Sequence, residues 1–517
     1  MKNKKGFTLI ELLAVIIILA VIALIATPIV LNVVDNARKS ANKDSAYGLL
    51  DSAKLYYMES LLDESKSLSG NLIDKINVSG RKPNSGTVYI NNKGEIALAV
   101  VYDKVCFTKN YEDADLTESD DIENCNISSL PSEPISKLYK DTVLNGADPE
   151  LKDNLVPVVI ENDGTVKKAD IYSEWYNYTN KTWANAVLLT DNDTYSAGDT
   201  ISEDAIKAYY VWIPRYKYQI FYDGTNATSK QLINIEFENK NTTKSNGNTI
   251  GSWLTHPAFT FGDTELNGIW VGKFELTGDT TNPTIKPNIT SLRNQNVSTL
   301  FATTQKLSTN SSMLKNIEWG AIAYLTTSIY GQGLSEVRIN NSSTYITGCA
   351  ASVENGASSR CENAYNKSIG YLASTTGNIS GIYDMNGGSY EYVMGVMEDN
   401  LNSNIPASGY ETQYNSGFSG KNLNDGTITT GVSFPEAKYY DIYKYETSSS
   451  DYTRYHLGDA TTETKGWNGD YAYFVNSSSP WFLRGGNYGF GTDAGVSAFG
   501  NDVGRASSTF SARAALR

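Results

Sequence analysis

The chain has 517 residues, too many for one compact domain, and a formal charge of −14. That acidity argues against nucleic-acid binding through a basic surface. Two distant histidines, His256 and His456, and four cysteines with no CxxC spacing argue against a His/Cys metal centre. The cysteines fall instead into two short-range pairs, Cys106 with Cys125 and Cys349 with Cys361, which suits two loop-closing disulfides in an oxidising compartment.

The first element is the stretch "KKGFTLIELLAVIIILAVIALIATP", Lys4 to Pro28. From Phe7 to Leu31 the residues are apolar except Thr8, Glu11 and Thr27. As a helix this run is about 37 Å long, enough for a bilayer. Lys2, Lys4 and Lys5 precede it, so the N-terminus is expected to stay cytoplasmic and the bulk of the chain to face outward. Glu11 is the awkward residue, because a carboxylate at membrane depth costs about 3 kcal/mol or more unless it finds a partner.

The same stretch resembles the type IV prepilin leader and helix: a short basic leader ending in Gly6, then Phe7, with glutamate at the fifth position after it. The resemblance implies that a membrane prepilin peptidase cuts between Gly6 and Phe7 and that the new amine of Phe7 is methylated. Pro28 falls where pilin helices carry their kink. It also gives Glu11 a partner. In a bundle of parallel helices the freed amine of one subunit sits beside Glu11 of its neighbour, and each charge neutralises the other. The plainer alternative is a membrane anchor with a snorkelling glutamate.

Past Pro28 the helical pattern turns amphipathic, with Val30, Val34, Ala37, Ala41, Gly48, Leu49, Ala53 and Tyr56 near one stripe. We divide the chain into a leader (1–6), an assembly helix (7–61), a small β head (62–145), a β spacer (146–205) and a large C-terminal domain (206–517). In the head, "TVYINNKGEIALAVVY" predicts a hairpin of Thr87–Ile90 with Glu95–Tyr102 around a turn signal. Cys106 and Cys125 enclose the acidic "YEDADLTESDDIEN", read either as a solvated loop or as a calcium loop, though its spacing is not that of an EF-hand. "LPSEPISK", Leu130 to Lys137, is a Pro/Ser connector. In the spacer, Trp175, Tyr176, Tyr178, Trp183 and Val187 serve either core packing or a sugar-binding surface.

Residues 206–517 predict many short strands with Gly/Asn turns, and one helix through Ile317, Ala321, Tyr324, Leu325 and Ile329. "GIYDMNGGSYEYVMG" (Gly381–Gly395) and "WFLRGGNYG" (Trp481–Gly489) resemble signatures of the formylglycine-generating-enzyme/sulfatase-modifying-factor family. That family has a C-type-lectin-like fold. Its oxidase chemistry uses a reactive cysteine pair near the C-terminus that binds copper, and no cysteine follows Cys361. A thiolate site cannot be built without thiolates, so no enzyme activity, catalytic residue, metal or cofactor is expected. Asp384 and Glu391 read as structural acceptors, with Arg484 as a candidate donor. Ala512 stands where that family carries an aromatic, which predicts a less firmly packed last strand; Arg513 keeps the family's arginine.

The tail also resembles the variable region of lectin-fold proteins diversified by retroelements. A ligand site is placed on Tyr488, Phe490, Asp493, Phe499, Asn501, Asp502, Arg505 and Ser507, aromatics giving contact area and polar groups giving specificity. The bland alternative is a polar, glycine-rich loop. The whole reads as an α+β surface protein, a minor or tip pilin-like adhesin that is first a single-pass membrane protein. Its expected partners are the peptidase, other pilins and an extracellular protein or glycan. The alternatives are a pseudopilin of a secretion or DNA-uptake system, or a surface-anchored oxidase.

Overall fold

A computed structural model describes residues 8–62, 66, 68, 71–78, 80–91, 94–111, 113–127, 139–140, 146, 148–152, 154–190, 193–222, 229–247, 249–353, 360–399, 406–409, 416–422, 427–445 and 457–517. Gly6, Phe7, His456 and the Leu130–Lys137 connector lie outside them. The chain forms two compact units, Met1–Leu138 and Tyr139–Arg517.

The N-terminal unit begins with helix α1, Leu9–Leu62, whose 54 residues make it about 81 Å long. The helix runs through Pro28 without a break. Thr27 Oγ1 donates to Ala23 O at 2.5 Å, giving the ladder a side-chain bond one residue before the proline's missing N–H. Burial begins later than the predicted stripe. Val30, Val34, Ala37 and Ala41 are exposed, and the buried face is Asn42, Ala46, Leu49, Leu50, Ala53 and Tyr56. Most of the described apolar residues before it stay exposed, Leu9 at 85%.

That buried face covers an antiparallel sheet in the order β1 (Ser85–Ile90), β2 (Ile96–Tyr102), β3 (Val105–Lys109), β4 (Thr117–Ser119). The predicted hairpin is present, with Ile90 opposite Ile96, and Gly94 takes the positive φ of its turn. β2 is buried along its whole length, as a central strand should be. Leu98, Val100 and Phe107 pack with Leu49 and Ala53. A disulfide joins Cys106 to Cys125. In the acidic loop Asp113 accepts from Asn110 N at 2.8 Å and Asp121 from Asn124 Nδ2 at 2.8 Å, so these carboxylates cap turns.

In the C-terminal unit the expected spacer is not separate. β5 (Leu155–Ile160), β6 (Val166–Lys168), β7 (Asn185–Leu189) and β8 (Thr200–Ile201) share an eight-stranded sheet with β9 (Ile206–Pro214), β10 (Gly268–Gly272), β11 (Ser311–Met313) and the last strand, Ala514–Leu516. The reason is in β7. Its residues are buried apart from half-covered Leu189, and it pairs with β5 on one side and β9 on the other, so a boundary at 205 would cut through a core strand. Trp175, Tyr176, Tyr178, Trp183 and Val187 are all buried in that core.

A second, five-stranded sheet holds β12 (Tyr390–Met397), β13 (Asp441–Tyr443), β14 (Trp481–Gly485), β15 (Gly495–Asp502) and β16 (Phe510–Ala512). Two helices accompany the sheets, α2 (Val297–Thr304) and α3 (Asn316–Thr326). Every residue of α3 is buried, so it is a central helix and not an amphipathic one. Ile329 lies beyond its end and is exposed. The terminal strand, β17 (Ala514–Leu516), sits between β11 and β10. The other disulfide joins Cys349 to Cys361. The architecture is therefore a long N-terminal helix followed by a large β-rich unit.

Candidate functional site

At the start of α1, Thr8 and Glu11 bond reciprocally. Glu11 Oε2 accepts from Thr8 N at 2.9 Å and from Thr8 Oγ1 at 2.8 Å, while Glu11 N donates to Thr8 Oγ1 at 3.4 Å. This is a capping box, Thr-x-x-Glu, satisfying donors that a helix start leaves open. The isolated chain thus gives Glu11 a local partner that the reading of the sequence had not offered it. Both residues stay exposed, so nothing within the chain shuts Glu11 away from a second partner. Among the described residues no helix is long and apolar enough to cross a membrane; the side chains of Ile25, Pro28 and Ile29 lie outside the description and divide the apolar stretch.

The second candidate region lies in the loops of the five-stranded sheet, held by buried charges. Arg513 stands at the crossing from β16 to β17, that is, from one sheet to the other. It pairs with Glu391 of β12 and donates to Gly272 O of β10 at 2.8 Å and to Tyr383 O at 2.9 Å. With Ala512 buried and Arg513 pinned on both sheets, the chain end is firmly fixed, against the expectation of a loose last strand. Asp384, at φ 61°, accepts from Asn340 Nδ2 at 2.7 Å and Gly348 N at 2.9 Å. Arg484 serves neither Asp384 nor Glu391. It donates to Asn316 Oδ1 at 3.1 Å and to the carbonyls of Asp459 and Ala460 at 3.1 and 2.8 Å. Burial raises the Asp384 and Glu391 carboxyls above their ordinary values, Glu391 to about 7, with Arg513 opposing in both.

Above this frame lie aromatic rings. Tyr488 meets Tyr345 edge-on at 5.1 Å, and Phe490 meets Tyr390 at 5.0 Å and Tyr471 at 5.8 Å. Tyr471 stacks on Tyr473 at 4.9 Å, and Tyr473 is 50% exposed. Asp493 is exposed, its carbonyl accepting from Tyr471 N at 2.9 Å. Burial raises the hydroxyl pKa of Tyr345 and of Tyr471.

The remaining predicted ligand residues divide. Phe499 is 0% exposed and packs on Phe474, so it belongs to the core and not to a contact surface: β15 is covered on both faces from Gly495 to Gly500. Asn501 donates to Phe474 O, and Asp502 accepts from Tyr392 OH at 2.7 Å and pairs with Arg505 at 3.5 Å. Burial pushes the Asp502 carboxyl up, opposed by the Tyr392 hydrogen bond. Ser507 shares a 3.0 Å hydrogen bond with Thr509. Arg293, which the sequence did not single out, spans the two groups. It lies 3.9 Å from the Tyr345 ring and donates to Ser508 O. Tyr345, Tyr471 and Tyr473 were also missed, since a tyrosine-rich chain carries no local signal that picks out three.

A groove of about 460 Å³ in the same unit, lined by Asn154, Leu188, Asp193, Lys207 and Thr309, contains none of the predicted ligand residues. Among the described residues no group of three or more His, Cys, Asp or Glu side chains is arranged to hold a metal ion. His256 is buried, with Nε2 2.9 Å from Gly458 O, and burial lowers its pKa to about 3.

Residues 1–27 match the family model of the prokaryotic N-terminal methylation motif. That motif is a substrate signal for prepilin peptidase and for pilin assembly, so the N-terminus is of type IV prepilin kind. A comparison of the chain with curated proteins finds no match.

Proposed function

We propose that the chain is a pilin-type surface subunit that is membrane-anchored before assembly and displays a lectin-like recognition unit outside the cell. The observation that carries this is the methylation motif at residues 1–27 running directly into a 54-residue helix whose first half is apolar and uncovered. Apolar side chains such as Leu13, Ile17 and Val21 need a bilayer or a bundle of like helices to leave water.

The C-terminal unit is read as a C-type-lectin-like, ligand-binding domain of the formylglycine-generating-enzyme type. The buried helix α3 and the anchored Asp384 loop support that reading. The ring surface of Tyr488, Phe490, Tyr471 and Tyr473, with Asp493 beside it, supports binding of a protein or glycan. We read the unit as a non-enzyme; with all four cysteines in disulfides, the thiolate chemistry of the formylglycine-generating family has no nucleophile here. A minor or tip position follows from bulk, because the large unit does not suit the repeating subunit of a tightly packed fibre. A pseudopilin of a secretion or DNA-uptake system shares the same N-terminus and is the second reading.

The test is a Glu11→Ala chain expressed beside the parent in a piliated host. The expected result is normal removal of the leader with at least about tenfold less protein in sheared surface filaments. Equal incorporation of both chains would remove Glu11 from assembly.

A further inference from the structure

Two pairs of tyrosine rings stand at the loops of the C-terminal unit, and they differ in one respect. Tyr345 meets Tyr488 edge-on at 5.1 Å, and the guanidinium of Arg293 lies 3.9 Å from the centre of the Tyr345 ring. Elsewhere in the unit Lys217 stands over Trp253 and Lys438 over Tyr439, each at 5.3 Å, so the chain's own cations cover several of its half-buried rings. Tyr471 and Tyr473 have no such cover. Their rings lie 4.9 Å apart at 13°, and among the described residues no lysine or arginine lies over either one.

The backbone holds this pair in place. Tyr471 N donates to Asp493 O, Tyr473 N to Phe499 O and Phe499 N to Tyr471 O, each at 2.9 Å. In this extended segment positions 471 and 473 point to one side. Phe490 meets Tyr471 edge-on at 5.8 Å, while Tyr473 is 50% exposed. A platform fixed before contact loses little freedom on binding.

The charge beside the platform is negative. Asp493 is exposed, and its carboxylate forms no ion pair or hydrogen bond among the described residues. It stands close enough to act on the phenols: burial first, then Tyr473, then Asp493 raises the Tyr471 hydroxyl, and burial, Tyr471 and Asp493 raise that of Tyr390. Lys230, which reaches the nearby Asn468, is held by Leu334 O at 2.9 Å and by Asn468 Oδ1. A neutral sugar would use the ring face and a hydrogen bond, whereas a cation uses the full charge of Asp493 as well. A guanidinium suits best, because its plane stacks on a ring and its N–H groups match a carboxylate. We propose that the Tyr471–Tyr473 platform takes an exposed arginine of a partner protein, with Asp493 as its counter-charge. The inference rests on the recognition reading of the ring surface and narrows its ligand to a basic protein segment.

The test is saturation-transfer NMR on the full chain in uncharged detergent with three probes: N-acetylarginine amide, its neutral isostere N-acetylcitrulline amide, and methyl α-mannoside. The arginine probe is expected to bind at millimolar concentration and at least about threefold more tightly than the citrulline probe. It should weaken by at least about threefold in Asp493→Asn and likewise in Tyr473→Ala. Both positions are exposed, so each variant should melt where the parent does. Equal binding of arginine and citrulline, an Asp493→Asn chain that binds arginine as the parent does, or no arginine binding at all would overturn the proposal. Mannoside binding that needs Tyr473 but not Asp493 would keep recognition at the rings and give the site to a glycan. If no probe responds to Tyr473→Ala, the recognition reading of this ring surface fails as well.

Discussion

Glu275, Asp384 and Glu391 lie buried near a single guanidinium, that of Arg513. Three carboxylates and one cation cannot all stay ionised away from water. Glu391 holds Arg513 through two of its nitrogens and is the natural anion. Glu275 has no such partner; its Oε1 accepts from Ser389 N at 2.7 Å, and burial first, then Asp384 and Glu391, raises its pKa well above the ordinary value. Folded Glu275 therefore keeps a proton that the unfolded chain releases at about pH 4.5. Its stabilising contribution is complete below that pH and is lost progressively as pH rises from there through the raised folded value. Glu275→Gln mimics the protonated form. By scanning calorimetry the variant should melt close to the parent at pH 5 and above it at pH 8. A variant that melts lower than the parent by the same margin at both values would show that Glu275 is ionised. At this scale the sequence was partly legible. Asp493 is exposed and Tyr488 and Phe490 are half-buried, but Phe499 is wholly covered, because both faces of β15 are packed over and no local pattern in the sequence signals the second cover.

Elements were most legible where the pattern is local. The β1–β2 hairpin follows from two strand-forming runs joined by the turn signal "NNKG", and the helix through "IEWGAIAYL" follows from its spacing. What surrounds an element is not local, and this is where expectation and structure part. α3 was read as amphipathic, yet both its faces are covered, one by the loop at Gly458. A Cβ on Gly320 would sit 2.0 Å from Gly458 O and 2.6 Å from Asp459 Cα, so glycine is required there by backbone approach and not by φ. Gly320→Ala improves helix propensity by about 1 kcal/mol. Overpacking against rigid backbone outweighs it, and we expect a net loss of about 2 kcal/mol in the C-terminal unit, read by chemical denaturation. A variant as stable as the parent would mean that the Gly458 loop yields freely. The merged spacer has a similar origin. β5–β8 look self-sufficient in sequence, but a short strand buried nearly throughout, such as β7, needs neighbours on both sides.

Over the whole molecule, two units of different kinds share one chain. The first is half exposed helix and half small head, and the second is a large β-rich body with its own core. The sequence made the first legible because a lone carboxylate in a long apolar run, after Gly-Phe-Thr-Leu-Ile, is a rare pattern. The ring surface of the second unit is harder to read, since it forms from residues as distant as Tyr345 and Tyr488. The account stands on the N-terminus being processed into a building block. The most direct measurement is the mass of the N-terminal peptide of the chain recovered from cells that contain a prepilin peptidase. A peptide beginning at Phe7 and carrying one added methyl is the predicted result; a mature chain that retains Met1–Gly6 would contradict it.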